Sequence, residues 1–136
     1  HLRNFLRLSK IPGLALFGLQ KGDAAGQAED LAGEMAMTNL GGELNDFTDT
    51  AAVIENLDLV VSVDTSVLHL AGAMGRPAWA VLPFSPDWRW MLDRPDNPWY
   101  PTMRLFRQRS YGDWEDVFRR VSQELQMLVA GQGLRA

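Results

Sequence analysis

Residues 58–77 constrain the fold more than any other part of this chain. They run Asp58-Leu-Val-Val-Ser-Val-Asp64-Thr65-Ser66, then an apolar stretch through His69 to Gly75-Arg76-Pro77. Residues 59–63 are apolar apart from Ser62, the pattern of a parallel strand covered on both faces. Asp64-Thr65-Ser66 supplies cap chemistry for a helix starting near Ser66. Gly75, with Pro77 just beyond it, is a stop signal. Pro77-Ala-Trp-Ala-Val-Leu82 then reads as the next buried strand. Strand, helix and strand in that order predict a right-handed βαβ unit. The fold class that follows is α/β, a Rossmann-like parallel sheet flanked by helices.

A strand that feeds a helix at the carboxyl edge of such a sheet is where open α/β folds bind ligands. The exposed N–H groups and the dipole of that helix favour anions, phosphate above all. His69 follows Thr65 by four residues, so it lies one turn in on the same face. The same residues also read as a plain cap followed by a packed histidine, and spacing alone leaves both open.

Upstream, residues 1 to about 10 place Leu2, Phe5 and Leu6 on one side and Arg3, Arg7 and Lys10 elsewhere, predicting an amphipathic helix ended by Ile11-Pro12-Gly13. Leu14 to Gln20 reads as a buried strand closing in the polar turn Gln20-Lys21-Gly22-Asp23. A helix is expected over part of 24–37, weakened by Gly26 and Gly33. Residues 38–46 read as loop, with a short strand near Leu44 to Phe47. Thr48-Asp49-Thr50 is expected to cap a helix over Ala51 to Asn56, with Ala52, Val53 and Leu57 towards the sheet.

Residues 83–101 hold Pro83, Pro86, Pro95, Pro98 and Pro101, which exclude a long regular element. Three of the five Trp, at 88, 90 and 99, fall inside this loop. A long aromatic loop in a compact domain is often functional, though its rings also serve to pack it down. Arg89, set between Trp88 and Trp90, is a candidate anion ligand or stacking partner. Residues 103–108 alternate and are expected as the last strand. A helix from Trp114 to about Val129 carries Trp114, Val117, Phe118, Val121, Leu125 and Leu128 as one apolar stripe. Gly131 onward is expected to fray.

At 136 residues the chain is expected to be one domain, residues 1–136. A net charge of −4 without a basic tract argues against nucleic acid as a partner. No apolar run approaches the roughly 20 residues of a transmembrane helix, and no charged-then-apolar leader is visible in these residues. Cysteine is absent, which fits a cytoplasmic protein. The two histidines, His1 and His69, are too few for a histidine-rich metal centre, and no metal site is expected. Because the chain opens at His1 with residues that already read as helix, it is expected to be an N-terminally truncated piece of a longer protein.

Asp64-Thr65-Ser66-Val-Leu-His69-Leu-Ala71 followed by Gly75-Arg-Pro77 resembles the donor-site signature of the ADP-heptose:lipopolysaccharide heptosyltransferases, glycosyltransferase family 9. Further pieces resemble the related glycosyltransferase-like domains of bacterial tetratricopeptide-repeat proteins. These are Leu19-Gln-Lys-Gly22, Asp46-Phe-Thr-Asp-Thr-Ala51, Asp87-Trp-Arg-Trp90, Asn97-Pro-Trp-Tyr-Pro101 and Arg104-Leu-Phe-Arg-Gln108. The resemblance covers nearly the whole chain. It implies the C-terminal, donor-binding half of a GT-B enzyme that transfers sugar from a nucleotide-diphosphate sugar, with inversion and without a metal or other cofactor. By position, Thr65, Ser66 and His69 would meet the donor diphosphate, Asp64 the sugar hydroxyls or the turn itself, and Gln20 the same cleft. Trp88 and Arg89 are secondary candidates.

Ser66 stands where heptosyltransferases commonly carry Gly, which narrows the approach to the diphosphate. The general base is expected in an N-terminal acceptor domain that these residues do not include, so the piece is not expected to be catalytic alone. The acceptor, whether glycan, lipid or protein, is not legible. The reading from another class is a catalytically inactive binding or scaffold module attached to tetratricopeptide repeats. A receiver-like or flavodoxin-like domain fits less well, because no acidic cluster follows the first strand.

Overall fold

The computed structural model describes residues 1–131, so the expectation for the tail beyond Gly131 lies outside the described residues. The chain forms two compact units, one from residues 1–46 with 118 onward and one from 47–117. Both contain parallel strands flanked by helices, as the α/β reading requires.

In the first unit the expected helix over residues 1–10 is replaced by two 3-10 turns, Leu2–Phe5 and Leu8–Lys10. Pro12 forces Ile11 into extended backbone (φ −81°, ψ 117°). The segment that remains is too short for an α-helix to be favoured. The expected buried strand 14–20 shrinks to β1, Phe17–Gly18, which pairs in parallel with β2, Thr38–Asn39. Phe17 is 43% exposed, so burial on both faces fails here. The ladder is short because the β2 side turns away at once, with Glu43 N donating to Leu40 O at 2.9 Å. That turn needs Gly41, since a Cβ there would collide with the carbonyl oxygen of Gln20. Between the strands runs α1, Gly26–Asp30, a short helix inside the expected range. No strand forms at 44–47: Leu44 is buried in a loop whose carbonyl accepts from Lys21 Nζ. The core of this unit gathers Leu8, Ile11, Leu31, Met35 and Leu44, and the Phe5 and Phe118 rings meet edge-on at 4.6 Å.

In the second unit α2 spans Phe47–Glu55 and starts four residues earlier than expected. Thr50 is therefore a buried residue within the helix rather than a cap, and Ile54, not Ala52, is its deepest apolar side chain. Asp49 in the first turn complements the helix dipole. The sheet has the order β3-β4-β5, all parallel: Val60–Ser62, Ala78–Leu82 and Met103–Arg107. Helix α3, Ser66–Ala73, connects β3 to β4 and packs on both. The expected doubly buried strand is β4, every residue of which is buried, rather than β3, which ends the sheet and leaves Val63 41% exposed. β4 alone has a strand on each side, which accounts for the exchange.

The stop of α3 is as expected. Gly75 takes φ +67°, Arg76 N donates to Ala71 O and Gly75 N to Gly72 O, each at 3.0 Å. This is the paired closure of a Schellman motif. The last helix, α4, spans Trp114–Val129 with Val117, Phe118, Val121 and Leu125 buried. Asp113 Oδ1 accepts from Asp116 N at its start, at 3.0 Å. Among the described residues no helix is long and apolar enough to cross a membrane.

Candidate functional site

β3 and β4 are neighbours and parallel, so their carboxyl ends lie side by side. The turn 63–65 leaves the first, and the proline-rich loop 83–101 leaves the second. Topology alone therefore brings the Asp64-Thr65-Ser66 turn and the aromatic loop to one edge of the sheet.

Thr65 is the N-cap of α3 by backbone (φ −143°, ψ 166°), but its side chain caps nothing. Its hydroxyl pairs instead with Ser62 Oγ at 3.0 Å. The first hydrogen bond of the helix runs from His69 N to Thr65 O at 3.2 Å. Among the described residues nothing accepts from the backbone N–H groups of Ser66, Val67 or Leu68. The expected side-chain cap is thus corrected to an open helix start, with exposed Thr65 and Ser66 at its mouth. Open N–H groups with an aligned dipole form an anion-binding arrangement.

Asp64 and His69 are bonded to each other, His69 Nε2 to Asp64 Oδ1 at 3.0 Å. The other ring nitrogen, Nδ1, lies 3.0 Å from the Tyr100 hydroxyl. The second carboxylate oxygen, Oδ2, accepts from Trp90 Nε1 at 2.7 Å. A carboxylate only accepts, so the network assigns a proton to Nε2, and in the neutral ring Nδ1 then accepts from the Tyr100 hydroxyl. The imidazole also lies 5.3 Å from the Trp90 ring, tilted by 30°, and 5.7 Å from Tyr100, edge-on at 63°. With both nitrogens engaged, His69 meets an anion only by releasing Asp64 or Tyr100. Close approach of Tyr100 depends on Gly72 of α3, where a Cβ would lie 2.5 Å from Tyr100 Cγ.

The aromatic loop is fastened from within. Asn97, 3% exposed, donates to Arg89 O at 3.2 Å and accepts from Trp99 N at 2.8 Å and Tyr100 N at 3.2 Å. Leu105 N donates to Pro95 O, and Phe84 N to Gln108 Oε1, which ties both ends of the loop to β5. Asp87 caps the 3-10 turn Trp88–Trp90 by accepting from Arg89 N at 3.0 Å and Arg89 Nε at 2.8 Å. Those bonds, the backbone one foremost, hold the Asp87 carboxyl below its ordinary range, and the pairing raises Arg89 in turn. Arg107 donates to Trp90 O at 2.9 Å, and burial lowers its guanidinium. A cleft of about 230 Å³ results, with His69, Trp90 and Tyr100 among its walls and Trp88, Arg89 and Trp99 beside them.

Of the residues singled out in the sequence, Asp64, Thr65, Ser66 and His69 are together at this turn, and Trp88 and Arg89 line the adjoining cleft. Gln20 belongs to the first unit, exposed beside the Gly41 turn. In the sequence Trp90 and Tyr100 stand out only as loop aromatics. The available signal was chemical: an indole N–H or phenol O–H that is not left in water finds a polar partner.

The sequence model of glycosyltransferase family 9 (heptosyltransferase) matches residues 10–108. The chain is 33% identical over 128 residues to Protein FlbA of Caulobacter vibrioides, covering 88% of this chain and 20% of that protein. It therefore spans about one fifth of the length of the curated relative it matches. No solved structure matches it. The family match over most of the chain, including the Asp64–His69 turn, shows that this chain belongs to glycosyltransferase family 9, the heptosyltransferases.

Proposed function

We propose that this chain supplies the donor-binding half of a two-domain GT-B glycosyltransferase that transfers sugar from a nucleotide-diphosphate donor with inversion. The observation that carries this is the open start of α3, where, among the described residues, nothing accepts from the N–H groups of Ser66, Val67 and Leu68. Sugar transfer builds negative charge on the leaving diphosphate. Preorganised N–H groups and a helix dipole lower the energy of that charge where it develops. Thr65 and Ser66 add hydroxyl donors at the same mouth. Asp64 and His69, bonded at 3.0 Å, stand beside it, with Asp64 available to sugar hydroxyls and His69 to the phosphates. The base that activates the acceptor comes from the other half of such an enzyme, and the acceptor's chemistry is set there too.

A second reading, a module that has lost catalysis and serves as a scaffold beside tetratricopeptide repeats, draws support from two features. Ser66 stands at the mouth where the heptosyltransferases it resembles commonly carry Gly, and both nitrogens of His69 are engaged.

A thermal-shift titration separates the two. The protein is titrated with ADP, GDP, UDP and CMP, with their sugar conjugates, and with inorganic phosphate as control, beside His69→Ala. A ligand at 100 times its Kd stabilises by about 2.7 kcal/mol, a shift of several degrees. A shift with one nucleotide that His69→Ala abolishes supports the donor site. No shift with any of them in the full-length protein refutes it.

A further inference from the structure

We propose that Trp88 and Trp99 wall a subsite for a single neutral pyranose ring, with the Asp87–Arg89 pair gripping its hydroxyls. This deepens the glycosyltransferase reading and rests on it. Trp88 is 73% exposed and Trp99 57%, while Trp90 is 1% exposed and His69 and Tyr100 are half-buried. Two indoles facing water on loosely held backbone would be unremarkable surface. Here the backbone that carries both is hydrogen-bonded within the loop. Asp87 caps the turn that carries Trp88, and the buried Asn97 binds the backbone of Arg89, Trp99 and Tyr100 at once. A fixed apolar surface left open to solvent is a preorganised binding surface.

Size and shape select the occupant. At about 230 Å³ the cleft falls below the ~300 Å³ at which pockets begin to hold drug-sized ligands. A volume of that order suits one ring. Its inner wall is uneven, with the His69 ring at 63° to Tyr100 and 30° to Trp90. A puckered pyranose, with C–H bonds over an electron-rich indole face, suits such an uneven wall better than a flat base does. The polar complement also fits. Arg89 bonds Asp87 Oδ1 through Nε, and among the described residues its Nη groups and Asp87 Oδ2 have no partner. Donors and an acceptor side by side match a pair of adjacent hydroxyls, each of which gives and takes a hydrogen bond.

Saturation-transfer difference NMR tests this with the methyl α-pyranosides of glucose, galactose, mannose and N-acetylglucosamine, on wild type, Trp88→Ala, Trp99→Ala and Tyr111→Ala. At least one glycoside should receive saturation at its ring C–H protons. Either Trp substitution should weaken that binding about tenfold, the scale of one lost aromatic contact, while Tyr111→Ala leaves it unchanged. Both variants should keep the wild-type far-UV circular dichroism, since both side chains are mostly exposed. Competition by ADP-, GDP- or UDP-hexose would assign the ring to the donor, and glycoside binding that persists beside the bound nucleotide sugar would assign it to the acceptor; either supports the subsite. The proposal is overturned if no glycoside is saturated, if both Trp variants bind like wild type, or if the base protons of a nucleotide are the ones that depend on Trp88 and Trp99. A normal thermal shift with nucleoside diphosphates in the Trp variants isolates a failure here from a failure of the donor-site reading.

Discussion

Trp90→Phe should cost this protein about 3 kcal/mol, and roughly half of that should vanish when Asp64 is already gone. Trp90 is 1% exposed and donates to Asp64 Oδ2 at 2.7 Å. A hydrogen bond to a charged group contributes ~1.5–3 kcal/mol. The Asp64 side chain is 33% exposed, so water can partly replace the lost donor, and the lower value of ~1.5 applies. Shrinking a buried indole to a phenyl ring removes about two methylene equivalents of apolar surface, ~1.6 kcal/mol at ~0.8 each. The assay is urea unfolding followed by far-UV circular dichroism, on the single variants and on Trp90→Phe combined with Asp64→Ala. In the Asp64→Ala background only the packing loss remains, so the pair should couple by ~1.5 kcal/mol. Additivity within ~0.5 kcal/mol would refute the claim that this bond holds Asp64 in place.

Three further expectations follow from the same geometry. Gly72→Ala puts a Cβ 2.5 Å from Tyr100 Cγ; overpacking should cost ~1–3 kcal/mol and pull Tyr100 from His69, visible as a changed His69 ring shift, whereas an unchanged shift would show that Tyr100 is not held by that contact. Asp64→Asn should reverse the proton on His69: the amide oxygen keeps accepting from Trp90, its NH₂ faces Nε2, and Nδ1–H then donates to Tyr100. Imidazole ¹⁵N shifts report this directly, and an Nε2–H tautomer in the variant would contradict the network. Asp87 is an acid whose folded-state pKa lies below its ordinary value of 3.8. Its stabilisation of the Trp88–Trp90 turn is therefore complete above that value and lost as pH falls through the lower, folded one. Trp88 emission should change in that acid range in wild type and stay flat in Asp87→Asn.

Much of the second unit was legible because its signals are local. The apolar run at 77–82, the Gly75-Arg-Pro77 stop and the stripe of α4 depend on neighbours a few residues away, and each appears where its residues indicate. The misread elements depended on partners farther off. β1 is two residues long because its partner turns away at Gly41, and β3 is less covered than β4 because strand order, not composition, decides which strand is central. Pro12 ends a helix by its sequence pattern, but the segment before it is short enough that only 3-10 turns form.

The same division runs through the candidate site. The sequence by itself determined the family, the strand–turn–helix and the placing of Asp64, Thr65, Ser66 and His69 within one turn, because a cap and the residue four places on share a helix face whatever surrounds them. Only the tertiary structure decided that Thr65 leaves the helix start open, that His69 has Asp64 on one nitrogen and Tyr100, 31 residues away, on the other, and that Trp90 binds Asp64 from 26 residues away. Those bonds exist because two adjacent parallel strands end at the same edge, and no periodicity along a chain records which strands are adjacent.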